Sequence, residues 1–148
     1  MTESLDLNGK ISMLGKQACF MGLSDKEMEV LASLLVEKHI PAGTVIVTEG
    51  DPVDSVYLIV KGEADVRLAE IRDNQIHYTS VATLRDPEAI GLNETGFYSI
   101  SGIRTATVVA VTDMVLLRLS VAAFHGFSLA YSHVSQVMRT YAEKIIGN

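Results

Sequence analysis

Few side chains in this 148-residue sequence are of a type and spacing that could do chemistry. Metal ligation would fall to Cys19, His39, His77, His125 and His133, and no pair of them stands at a C-x₂-C, H-x₃-H or H-E-x-x-H spacing. Scattered histidines at the surface or the edge of a core are the simpler reading, and no metal site is expected. Nucleophilic catalysis fares no better, because no serine lies in a G-x-S-x-G elbow and Cys19 sits in an apolar stretch without a nearby basic partner. The chain is therefore not expected to be an enzyme. Asn93-Glu94-Thr95 matches a glycosylation acceptor by pattern only. Phosphate binding is the chemistry that remains. Gly91 and Gly96 have the spacing of a P-loop's glycines but lack the Lys-Ser/Thr that follows them there. A short helix or turn opening at Gly91 would present free backbone N–H groups, and Arg104 offers a planar fork able to grip two phosphate oxygens.

These residues must be positioned by the elements around them. Ser24-Asp25-Lys26-Glu27 has the spacing of a capping box, and Met28, Leu31, Leu34 and Leu35 follow at helical spacing, which predicts a helix over about residues 25–37. Ile11, Met13, Leu14, Ala18 and Phe20 predict a shorter helical stretch before Met21-Gly22-Leu23. From residue 39 onward, β-branched and aromatic runs alternate with Gly, Pro and Asp turns. Strands are expected around 39–40, 44–48, 55–60, 63–68, 76–84, 105–111 and 114–119, with turns at 41–43, 49–52, 61–62, 72–74 and 112–113. Many short strands joined by such turns predict an antiparallel sandwich or barrel rather than a parallel sheet. After them Ser120 caps a short helix through His125, Gly126 interrupts it, and a longer helix carries Val134, Val137, Met138, Tyr141 and Ile145 as one apolar stripe.

Composition bounds the rest. With 48% hydrophobic and 20% charged residues the chain can build one core, and its length fits a single domain over 1–148. No apolar run approaches the ~18 residues of a membrane span, so no membrane insertion is expected. The start, Met-Thr-Glu-Ser-Leu-Asp, has neither the basic nor the apolar region of a secretory signal, and Cys19 is alone, so a cytoplasmic location is expected. Net charge is −6, divided as −8 over residues 1–100 and +2 over 101–148. No run of Lys or Arg occurs, which disfavours direct nucleic-acid binding.

Pro41-Ala42-Gly43-Thr44-Val45-Ile46, Glu49-Gly50-Asp51, the segment from Asp54 to Glu63 and Arg104-Thr105-Ala106-Thr107-Val108 resemble, in order and approximate spacing, the cyclic-nucleotide-binding domain family. This is the sensor module of catabolite-activator-type regulators, cyclic-nucleotide-dependent kinases and cyclic-nucleotide-gated channels. The likeness covers about residues 18–148. It implies a mainly β fold: an eight-stranded jelly-roll-type β-roll with an N-terminal helical segment and C-terminal helices. In the family, a Phe-Gly-Glu stretch opens a short helix and an arginine follows. The arginine pairs the cyclic phosphate, the glutamate accepts from the ribose 2′-hydroxyl, and backbone amides complete the cradle. The resemblance carries ligand-binding positions to Gly91, Leu92, Arg104, Thr105 and Ala106. It implies no cofactor; the ligand would be cyclic AMP, cyclic GMP or another small phosphorylated molecule, with Thr105 leaning toward guanine.

Two departures from the pattern bear on function. Leu92 stands at the glutamate position and cannot accept a hydrogen bond, which costs ~1–3 kcal/mol, or roughly 5- to 150-fold in affinity, if the hydroxyl is buried against it. The stretch Asn93–Gly102 is longer than the family pattern and a poor helix former. Glu94 could supply the missing acceptor, or Phe97 or Tyr98 could fill the pocket. Arg104 is then either a ligand arginine or a structural one paired with a carboxylate such as Glu94. The leading expectation is a non-catalytic sensor module that binds weakly through Arg104 and couples binding to the C-terminal helix. The competing expectation is a degenerate module kept for protein interaction or dimerisation. The breadth of the Val134–Ile145 stripe predicts a homodimer through that helix. The output is either an effector engaged in trans or a segment continuing beyond this chain.

Overall fold

The computed structural model of the protein describes residues 5–17, 20–91 and 102–131. Its elements run α1 (Leu7–Gly15), α2 (Asp25–Ser33), β1 (Val36–Ile40), β2 (Val45–Val47), β3 (Ser55–Lys61), β4 (Glu63–Arg72), β5 (Gln75–Arg85), β6 (Ala89–Ile90), β7 (Thr107–Ala110), β8 (Met114–Ser120) and α3 (Val121–Ala130). The eight strands form two four-stranded antiparallel sheets, ordered β1-β8-β3-β6 and β2-β7-β4-β5. This is the mainly β roll with flanking helices that the sequence predicts.

The central strands of the first sheet, β3 and β8, are buried on both faces, which explains why they read as nearly unbroken apolar runs. Val56 and Leu58 of β3, with Leu117 and Leu119 of β8, pack against Met13, Leu14, Leu31 and Phe127 of the helices. Their neighbours Ile59 and Leu116 pack the other way, against Ala64, Val108 and Ala110 of the second sheet. Ser24 and Glu27 close the capping box at the start of α2, Ser24 Oγ accepting from the Glu27 amide and Glu27 Oε1 from the Ser24 amide. The β4–β5 turn places Asp73 and Asn74 at φ of 52° and 61°, the left-handed pair that suits a two-residue hairpin.

Several boundaries differ from expectation for reasons of packing. Helix α2 ends at Ser33 rather than near 37, because Val36–Ile40 pairs in full register with Arg118–Met114 of β8. Helix α3 continues through Gly126 to Ala130 instead of stopping at His125. Phe127 is buried and meets Phe124 and Tyr131 at ring distances of 6.1 and 5.2 Å, and this contact outweighs the ~1 kcal/mol cost of an interior glycine. Helix α1 begins earlier than expected, at a cap where Asp6 accepts from the Gly9 amide. The short strand β6 is not foreshadowed in the sequence, since two residues carry no periodicity. The Val134–Ile145 stripe lies outside the described residues.

The N-terminal segment is tied to the roll by polar contacts. Leu5 donates its amide to Glu37 Oε1 at 2.6 Å, and His39 Nε2 lies 2.6 Å from Glu37 Oε2. These bonds, the Leu5 amide first, hold the Glu37 carboxyl below its usual 4.5. A carboxyl whose folded-state pKa is depressed adds stability that is complete above its usual pKa and lost as pH falls through the lower value. Denaturant titrations near pH 7 and below pH 4.5 are thus expected to show an acid loss of stability that Glu37→Gln partly flattens. An unchanged acid slope in the variant would remove Glu37 from that account.

Candidate functional site

Arg104 is held in place chiefly through its backbone. Its amide donates to Asp51 O at 2.8 Å and its carbonyl accepts from the Gly50 amide at 2.9 Å, while Val53 N donates to Gly102 O at 2.8 Å. An isolated bridge joins Pro52 to Ile103. Residues 102–104 therefore pair with the 50–53 turn, and the strand expected from 105 begins at Thr107. Thr107 Oγ1 accepts from the Glu49 amide at 3.0 Å and fixes the other end of the same turn.

From this clamp the Arg104 side chain runs inward and is only 6% exposed. Its Nη2 donates to Ser55 O at 2.7 Å and lies 3.6 Å from Asp54 Oδ1, which also accepts from Ser55 Oγ. Its Nη1 is buried with no hydrogen-bond partner among the described residues. Burial pulls the guanidinium's pKa below the ordinary arginine value, with Tyr57, Asp54 and Asp51 opposing the shift and Arg118 adding to it. Arginine does not give up its proton in a protein, so the strain is expressed as a buried charge with one unsatisfied donor.

Gly91 follows β6, whose Ile90 and Ala89 pair with Tyr57 and Leu58, and this brings it beside the guanidinium. Gly91 has φ +86°, and a Cβ there would lie 2.8 Å from Arg104 Nη1, 3.3 Å from Val56 Cγ1 and 3.4 Å from Ser55 O. Only a residue without a side chain fits this approach. Gly91 and Arg104 border a cleft of about 240 Å³ whose apolar wall includes Val66, Leu84 and Ile90. Thr105, exposed, and Ala106, half-buried, line the same cleft. Four of the five positions named from the sequence are thus brought together; the fifth, Leu92, lies outside the described residues, as do Glu94, Phe97 and Tyr98.

Glu94, the carboxylate suggested by proximity in sequence, lies outside the described residues. The described contacts of Arg104 are Asp54 and the Ser55 carbonyl, about fifty positions upstream. Nothing local in the sequence marks Asp54, whose role follows from the register of β3 against β8 and the 102–104 pairing. A second opening that Arg104 also borders is lined by Thr48, Asp51, Asp54 and Tyr57. Among the described residues, no three His, Cys, Asp or Glu side chains converge as metal ligands, and no helix is long and apolar enough to cross a membrane.

Residues 37–131 match the family model described as the cyclic nucleotide-binding domain. The chain belongs to the cyclic nucleotide-binding domain family. A cAMP-dependent protein kinase regulatory subunit from Colletotrichum orbiculare is 31% identical over 108 residues, covering 69% of this chain and 24% of that protein. The chain thus spans about a quarter of that relative's length. Among solved structures, the N-terminal domain of a transcriptional regulator from Streptomyces coelicolor A3(2) superposes with a TM-score of 0.74 at 22% identity, covering 90% of this chain and 89% of that one. The regulatory domain of Toxoplasma gondii PKA, solved with cAMP, gives 0.67 at 23% identity, covering 84% and 46%. These likenesses place the roll among cyclic nucleotide-binding domains by fold. By name the relatives are a kinase's regulatory subunit, a transcriptional regulator and a kinase's regulatory domain.

Proposed function

We propose that the chain is a non-catalytic regulatory sensor that takes a cyclic nucleotide, or a closely related phosphorylated ligand, weakly, with the phosphate on Arg104. The observation that carries this reading is the buried Arg104 Nη1, which has no partner among the described residues and sits against the space left open at Gly91. A phosphate oxygen there would satisfy the donor and neutralise a charge that burial disfavours. The solved Toxoplasma regulatory domain is a cAMP complex, which is the chemistry the cleft's arginine and apolar wall suit.

Asp54 offers the route from ligand to helix. Its carboxylate lies 3.6 Å from Arg104 and 3.9 Å from Arg118, and its carbonyl accepts from the amide of Val121, the first residue of α3, at 2.8 Å. An anion drawing Arg104 away would leave Asp54 to Arg118 and shift the support at the start of α3. The output is passed by the C-terminal helical region to an effector protein.

Leu92 supports a second reading, a degenerate module that binds no nucleotide and serves as an interaction unit. Calorimetric titration with cyclic AMP and cyclic GMP separates the two. The natural chain is expected to bind weakly, and Leu92→Glu to tighten binding by roughly 5- to 150-fold, the worth of one restored acceptor for the ribose hydroxyl. Absence of binding in both proteins would leave the interaction module as the function.

A further inference from the structure

Strand β5 stands at the edge of its sheet, with β4 on one side and no described strand on the other. It is eleven residues long, and from Asn74 to Leu84 it carries no Asp, Glu, Lys or Arg. Edges of this length are ordinarily guarded by charge, proline or a bulge, because their free N–H and C=O groups template pairing with another chain. The guard present here is a register shift opposite Val66 and Arg67 that leaves Val81 unpaired, and it protects only the end of the strand toward Arg85. The other end, Asn74 to Ser80, is regular.

The outer face of that regular end is apolar and open to solvent. Ile71 is 80% exposed, Ile76 64% and Tyr78 62%. Ile71 lies directly across from Ile76, and Ala69 across from Tyr78, in the β4–β5 ladder, so the four side chains form one patch. None of them contributes to the Arg104 cleft.

We infer that this edge pairs with the same edge of a second copy of the chain, antiparallel about a two-fold axis at His77. A two-fold pairing needs a strand complementary to itself, and charge is the first obstacle to that: like charges would face one another twice. The neutral stretch removes the obstacle. With the axis at His77, Ile76 faces Tyr78 of the second copy, Tyr78 faces Ile76, Gln75 faces Thr79 and Asn74 faces Ser80. Across the four strands this lines up Ile71 and Ile76 with Tyr78 and Ala69 of the second copy, an unbroken apolar row, and symmetry repeats the row. An axis moved to Tyr78 would set Ile76 against Ser80 and lose that match. Pairing ends before the irregular residue at Val81, and the two four-stranded sheets become one of eight strands. The surface involved is small, so the dimer is a weak one that forms at micromolar concentrations.

Sedimentation equilibrium on the full chain tests this, with far-UV circular dichroism and thermal melting to show that the exposed substitutions leave the roll intact. The natural chain is expected to dimerise reversibly. Combining Ile76→Lys with Tyr78→Lys sets like charges at both facing pairs and is expected to weaken the dimer about tenfold or more. Combining Ile76→Lys with Tyr78→Glu sets opposite charges at the same pairs and is expected to restore it. A monomer throughout the micromolar range overturns the inference. So does a dimer that treats both combinations alike, since its contact then lies on another surface, such as the apolar stripe after residue 133.

Discussion

Replacing Arg104 by methionine is expected to abolish nucleotide binding while leaving the ligand-free protein folded and about as stable as before. The binding loss follows from the two donors the guanidinium would give a phosphate. Hydrogen bonds between charged groups contribute ~1.5–3 kcal/mol each, so their joint loss weakens affinity by about 100-fold or more. The stability expectation is the sharper half. In the ligand-free protein Arg104 is a buried charge with one good bond to Ser55 O, a 3.6 Å approach to Asp54 and an unpartnered Nη1. Removing one member of a buried ion pair is costly when it leaves the other charge buried, but Asp54 is 74% exposed and stays hydrated, so the desolvation of the guanidinium is relieved without stranding its carboxylate. Methionine fills most of the arginine's space, whereas Arg104→Ala adds a cavity and confuses the comparison. A structural arginine gives the opposite pattern: a melting temperature several degrees lower and a ligand affinity that does not change. Calorimetry and thermal melting on the natural protein and on the Leu92→Glu background read both halves, the second background ensuring that there is affinity to lose.

How legible this site was depends on sequence distance. The capping box at Ser24, the apolar runs of β3 and β8 and the turn at Asp73-Asn74 are local patterns, and each specifies its own element. Leu34 and Leu35 extend the helical period past Ser33, but the chain there obeys a ladder with β8 some eighty residues away, and the helix loses. Gly126 reads as a break because its cost is local, while one of the contacts that overcome it, Phe124 to Phe20, joins parts of the chain that a window does not see together. The same division runs through the site. Arg104 and Gly91 are recognisable by type and by their neighbours in sequence. That the guanidinium rests on Ser55 and Asp54, with the Asp54 carbonyl also holding Val121, is a product of strand register.

Gly91→Ala is expected to damage stability and binding together, and a second glycine shows how to separate the causes. At φ +86° an alanine is strained wherever it stands, at a cost of about 1–2 kcal/mol. Gly43, at φ +88°, has nothing within 4 Å of the place an added methyl would take and lies in the turn before β2, so Gly43→Ala measures that strain alone. At Gly91 the methyl would also meet Arg104 Nη1 at 2.8 Å, Val56 Cγ1 at 3.3 Å and Ser55 O at 3.4 Å. Val56 and Ser55 belong to a buried strand and cannot move far, so the guanidinium is the group that yields. Displacing it weakens its 2.7 Å bond to Ser55 O and takes Nη1 from the mouth of the cleft. Melting temperature is expected to fall by roughly 2–4 °C per kcal/mol lost, further for Gly91→Ala than for Gly43→Ala. Affinity for cyclic nucleotide is expected to fall about tenfold or more in the first and to stay unchanged in the second. If the two variants lose equal stability and both keep their affinity, Arg104 tolerates a methyl beside it, and the ligand's phosphate does not enter beside Gly91.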